Sequence, residues 1–125
     1  MQYAEPVARV LDHIHAQYGA QPEYLWVRLP KAAALRHAAS GKWFAALMLD
    51  MPRSTLRLPG EGCVDILNLK CDPLLIASLV DGAHYLPAYH MNKQHWISLV
   101  LDGSIPFEEV CSLVDLSYGL ISRRK

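Results

Sequence analysis

Between Ala4 and Tyr18 the apolar residues fall at Val7, Val10, Leu11, Ile14 and Tyr18, which are steps of i, i+3, i+4, i+7 and i+11. That spacing predicts an amphipathic helix over these positions. Pro6 suits its first turn, where a missing N–H is no loss, and Gly19 suits its left-handed end. A second stripe made of Phe107, Val110, Cys111, Val114, Tyr118 and Ile121 predicts a closing helix from Pro106 to Ser122, with Glu108, Glu109, Ser112 and Asp115 turned outward. The apolar runs in between are short and continuous, so Trp43–Leu49, Val64–Lys70 and Ile97–Leu101 read as buried strands. Ala32–His37 is placed as a strand by its position between turns, against alanine's helical preference, and Ser40-Gly41-Lys42 joins it to Trp43–Leu49 as a hairpin.

Asp72-Pro73 supplies a capping carboxylate and a first-turn proline for a short helix reaching Val80, closed by Asp81-Gly82. Trp26 and Val27 lie between Pro22 and Pro30 in a run that fits either strand or loop. From Met51 to Gly62, two prolines and two glycines predict a surface loop, and it carries Arg53 and Arg57. Each long helix has one apolar stripe to bury, and the strands are joined by tight turns. The expectation is therefore an α+β fold, an antiparallel sheet with the N- and C-terminal helices packed on one face.

A chain of 125 residues forms one domain, 1–125, with 52% hydrophobic residues for its core. Twelve basic residues balance twelve acidic ones, but three of the basic ones form the tail Arg123-Arg124-Lys125. The remainder carries nine basic against twelve acidic groups, so nucleic-acid binding would rest on a local patch rather than on overall charge. Cys63, Cys71 and Cys111 stand singly, without the paired spacing of a zinc ribbon or redox motif. Neither a leader-like segment nor a long apolar run is present, which predicts a cytoplasmic protein with no membrane partner.

Candidate chemistry concentrates in Pro87–Gly103, where Tyr89, His90, Asn92, Lys93 and His95 directly precede the apolar strand. His90 and His95 are five apart, which places them on opposite faces of a strand or about 140° apart on a helix. Together with the missing nucleophile–base pair, this predicts no catalytic residues, no metal and no cofactor. From Gly82 to Leu101 there is no acidic residue, while Lys93 and three histidines alternate with Tyr85, Tyr89 and Trp96. Lysine contacts phosphate, Asn92 suits a base edge or phosphate, and an exposed Tyr89 stacks on bases, with Arg53 and Arg57 as outlying phosphate contacts. Two alternatives stay open. In one, the aromatics belong to the core and Asn92 or His90 merely caps a turn. In the other, the groove between this segment and the sheet takes a protein partner or small ligand.

The run Tyr89-His90-Met91-Asn92-Lys93, then His95-Trp96, Leu101-Asp102-Gly103-Ser104 and a final helix, resembles the MmcQ/YjbR family of small bacterial proteins. The resemblance also covers Gly41-Lys42-Trp43-Phe44, Met51-Pro52-Arg53, Leu58-Pro59-Gly60 and Lys70-Cys71-Asp72-Pro73. It implies a frataxin-like (CyaY-like) α+β fold and a DNA-binding role. Frataxins carry an acidic iron-binding ridge on their first helix, but here that helix offers only Glu5 and Asp12, so iron chemistry does not carry across.

Overall fold

The computed structural model describes residues 3–122; the basic tail Arg123–Lys125 lies outside the described residues. In chain order the elements are α1 (Glu5–Tyr18), β1 (Ala32–Arg36), β2 (Trp43–Pro52), β3 (Cys63–Lys70), α2 (Pro73–Leu79), β4 (Tyr85–Pro87), β5 (Trp96–Val100) and α3 (Phe107–Ser122). The strands form one antiparallel sheet in the order β1-β2-β3-β5-β4.

Local chemistry sets the helix ends. Gly19 at φ +69° ends α1, its N–H donating to the His15 carbonyl, and a side chain in that conformation would be strained. Asp72 starts α2 by accepting the Leu74 N–H at 2.8 Å. The two stripes read from the sequence pack on the same face of the sheet. Val7, Val10 and Ile14 of α1 and Val110, Val114 and Ile121 of α3 share one core with Leu35, Leu47, Leu67, Leu69, Ile97 and Leu99. Each fully buried aliphatic side chain contributes about 1.5–3 kcal/mol, so burial rather than intrinsic propensity holds these helices in place.

The alternate strand residues, Ala32, Met48, Ile66 and Val100, point to the other face. No helix covers them. Leu58 from the 53–62 loop, Leu86 and the half-buried Trp26, Met51, Leu56 and Tyr89 pack there instead. Two sequence expectations change accordingly, and the reading left open at Trp26 resolves to one of its alternatives. The 51–62 segment is not simply a surface loop: β2 continues through Pro52 across a register shift between Met48 and Met51, and the remaining loop buries Leu58 on the open face. The Trp26 run makes a turn, and only Glu23 bridges to β1, at Ala34. β4 is an added strand, three residues at the sheet edge that include Pro87, a residue edges tolerate.

Side chains tie the layers together. Asp115 on α3 accepts from Tyr18 Oη at 2.6 Å and lies 3.0 Å from His13 Nε2, both on α1. Burial first, then that bond and the Asp115 charge, push the Tyr18 phenol well above its ordinary pKa. Ser117, fully buried on α3, donates to the Phe44 carbonyl at 2.6 Å and accepts the Lys70 N–H at 3.0 Å. Phe44 is the residue skipped where the β1–β2 register shifts, so this one hydroxyl ties the helix to β2 and β3 at the irregularity.

Replacing Ser117 with alanine removes a donor and an acceptor from buried backbone groups, each worth about 1–3 kcal/mol. We expect Ser117→Ala to lower stability by about 2–4 kcal/mol, seen in urea titration as a lower midpoint with unchanged slope.

Candidate functional site

β4 and β5 form a hairpin, since Pro87 pairs with Ile97. The chain between them, 88–95, turns onto the open face of the sheet. A short, fully buried polar cluster makes this possible. Asn68 on β3 and Ser98 on β5 are register partners in the centre of the sheet, both without solvent exposure, flanked by the apolar residues Leu67, Leu69, Ile97 and Leu99. Ser98 Oγ donates to Asn68 Oδ1 and accepts the Tyr89 N–H at 3.0 Å. Asn68 Nδ2 donates to the Tyr89 carbonyl at 3.4 Å and lies 3.9 Å from Met48 Sδ. Both backbone groups of Tyr89 are thereby satisfied by two side chains of the sheet, which allows the loop to be buried there.

Anchoring at Tyr89 constrains the rest of the loop. His90 has φ +59°, left-handed for a residue with a side chain, and its ring lies 4.1 Å from that of Tyr89. Such a conformation persists only where its surroundings over-determine it. Asn92 closes the loop: its Oδ1 accepts the Gln94 N–H at 2.8 Å, and its carbonyl accepts from His95 and Trp96. The His95 carbonyl takes the Cys71 N–H, and Trp96 lies under Lys70, whose Nζ is 6.0 Å from the ring centroid. His90, Asn92, Lys93 and His95 are exposed, whereas Tyr89 and Trp96 are half-buried.

Of the residues singled out in the sequence, the structure brings together Tyr89, His90, Asn92, Lys93 and His95. Asn92 is a turn-former as well as an exposed amide. Tyr89 packs against the open-face core, which leaves less of its ring for stacking than an exposed tyrosine would have. Arg53 and Arg57 belong elsewhere. Their loop begins at the end of the sheet where Pro52 pairs with Cys63, whereas Lys93 and His95 adjoin the end where Lys70 pairs with Trp96. The eight residues of β3 between those ends span roughly 23 Å. Arg53 is also engaged: its Nη1 donates to the Pro59 carbonyl at 3.4 Å, and its charge acts on Asp102. Burial raises the Asp102 carboxyl pKa, but hydrogen bonds from Ser104 and the Arg53 charge outweigh it and hold the group below its ordinary value.

Sequence reasoning passed over Asn68 and Ser98. The available signal was a polar residue inside each apolar stretch, Asn68 between Leu67 and Leu69 and Ser98 between Ile97 and Leu99. It also missed the link from His13 to Asp115, because nothing in either helix alone places the two side by side. Among the described residues, no three of His, Cys, Asp and Glu come together as metal ligands, and no helix is long and apolar enough to cross a membrane.

The YjbR family model matches residues 15–120. The uncharacterized protein YyaQ of Bacillus subtilis (strain 168) is 41% identical over 111 residues, covering 89% of this chain and 93% of its own. The uncharacterized protein YjbR of Escherichia coli (strain K12) is 43% identical over 54 residues, 42% of this chain and 45% of that one. A crystal structure of a Pseudomonas syringae protein superposes with a TM-score of 0.84 at 36% identity, covering 90% of this chain and 96% of the other. A Deinococcus radiodurans protein shares the fold at 21% identity, with a TM-score of 0.66 over 99% of this chain and 81% of its own.

The Asn68–Ser98 pair is expected to act as a unit. Asn68→Ala and Ser98→Ala should each cost about 1–3 kcal/mol, while the double variant should cost less than the sum, with a coupling of about 1–2 kcal/mol. Chemical denaturation of the four proteins in the cycle measures this directly.

Proposed function

From the premise that this chain belongs to the YjbR family, we propose that it is a non-enzymatic DNA-binding protein. In this reading the DNA backbone is held weakly, and with little sequence preference, by the 90–95 loop. The observation that carries the reading is that one exposed loop gathers Lys93, His90 and His95, none in a salt bridge among the described residues, whereas several other basic residues near the sheet are engaged. Lys31 is paired with Asp50 at 2.5 Å, Arg36 lies 3.3 Å from Glu23 without hydrogen-bonding alignment, and Arg53 sits in the field of Asp102. Lys93, His90 and His95 enter no salt bridge among the described residues, and all three are exposed. Positive charge without an internal partner is what phosphate contacts require. Lys93 supplies a mobile ammonium, the histidines add charge when protonated, and the Asn92 amide remains a donor for phosphate or a base edge.

The non-enzymatic part rests on the other polar clusters. Both imidazole–carboxylate pairs, His13 with Asp115 and His84 with Asp81, have structural employment. Asp115 joins two helices, and Asp81 accepts the N–H groups of Ala83, His84 and Tyr85. The thiol nearest the first pair, Cys111, is pushed up in pKa chiefly by burial and further by Asp115, the opposite of an activated nucleophile.

Titration of labelled duplex and single-stranded DNA at about 50 and about 200 mM salt tests this reading. Binding should weaken as salt rises, and Lys93→Ala should lower affinity and reduce the salt slope by about one. Arg53→Ala should change either quantity less than Lys93→Ala does. DNA binding indifferent to both salt and Lys93, or none at low salt, would reject the proposal.

A further inference from the structure

Beside the loop, the open face of the sheet carries a groove whose lining shares only His90 with the residues proposed to contact phosphate. It consists of two adjoining hollows of about 240 and about 220 Å³. The first lies between the 28–32 segment and Met48, Met51 and Tyr89; the second lies among Trp26, Trp43, Met48 and Met91. They share Leu29, Ala32, Met48 and His90, so they form one continuous depression with the strained His90 on the common wall. Three of the chain's four methionines line it, and methionine is the side chain that best reshapes itself around a variable apolar guest.

Two further features indicate what the groove takes. Leu29, which lines both hollows, is 46% exposed, and its chain neighbours Leu25 and Val27 are 43 and 96% exposed, apolar surface that water alone does not favour. The charged residues lining the hollows are Arg28, Lys31 and His90, and no aspartate or glutamate lines either one. Lys31 is paired with Asp50, which leaves Arg28 as the lining cation with no salt bridge among the described residues.

We propose that this groove docks a segment of another protein that carries two large apolar side chains and net negative charge. Each hollow has room for one such side chain. Their shared wall places the anchors as neighbours, as residues three or four apart on a helix would be. The cationic rim selects acidic flanks. A nucleobase fits less well. Apart from Tyr89, His90 and, in the first hollow, Arg28 and Lys31, the lining side chains are aliphatic, thioether or indole, and would leave most of a base's polar edge desolvated and unbonded. The groove shares His90 with the proposed DNA-binding loop but not Lys93, so Lys93→Ala separates the two readings.

The test is to pan the full chain against a random phage-displayed library of peptides of about twelve residues, then measure synthetic copies of the recovered sequences by tryptophan fluorescence. Recovered peptides should be acidic and carry two large apolar residues. Leu29→Glu should weaken them by at least about tenfold and Arg28→Glu by about threefold, while Lys93→Ala leaves them unchanged. Leu29 and Arg28 are both exposed, and circular dichroism verifies that each variant is folded. Recovery of no consensus, recovery of basic peptides, or equal binding to Leu29→Glu would overturn the proposal. So would displacement of the peptides by an oligothymidylate of about fifteen nucleotides, which would make the groove a base-binding site, or self-association abolished by Leu29→Glu, which would make a second copy the occupant.

Discussion

A buried backbone segment needs hydrogen-bond partners, and in this protein the Asn68–Ser98 pair supplies them. With both long helices on one face of the sheet, the other face must be covered by loops, and loops bring backbone N–H and C=O groups into apolar surroundings. Leaving those groups unpaired would cost several kcal/mol. The pair answers this at one residue, Tyr89, whose two backbone groups are both taken up from the sheet. Removing either polar side chain from the centre of an otherwise apolar sheet would cost stability locally and free the loop that depends on it.

In the proposed reading, stability and recognition fall to different faces of the sheet. The helical face holds most of the fully buried aliphatic side chains, the Asp115 cluster that joins its two helices and the Ser117 hydroxyl that joins helix to sheet. The open face is thinner, and its covering loops carry the residues suited to recognition. Within it the chemistry divides again. The tip of the 88–95 loop is polar and free of salt bridges, whereas the depression beside it is rich in methionine and tryptophan. Arg53 and Arg57 reach neither the loop tip nor the lining of the groove, because their own loop starts at the opposite end of β3.

Much of this was legible in the sequence where periodicity was strong. The stripes of α1 and α3, the hairpin of β1 and β2, the Asp72 cap and the helices' placement on one face all follow from spacing and the need to bury apolar stripes. β4 was not legible, since three residues ending in proline give no alternation. The continuation of β2 was hidden because Pro52 reads as a breaker, whereas a register shift between Met48 and Met51 lets the strand run on to Pro52 itself. The loop was identifiable by composition, but its anchorage was not. Asn68 and Ser98 are thirty residues apart, and only the β3–β5 register makes them neighbours.

Amide hydrogen exchange at Tyr89 tests the anchoring most directly. If the Asn68–Ser98 pair grips the loop as described, the Tyr89 N–H will exchange about as slowly as the strand amides of β3 and β5, and much more slowly than the amide of exposed Lys93. Exchange at Tyr89 as fast as at Lys93 would contradict the account, because a loop that opens so readily could not be held by the buried pair.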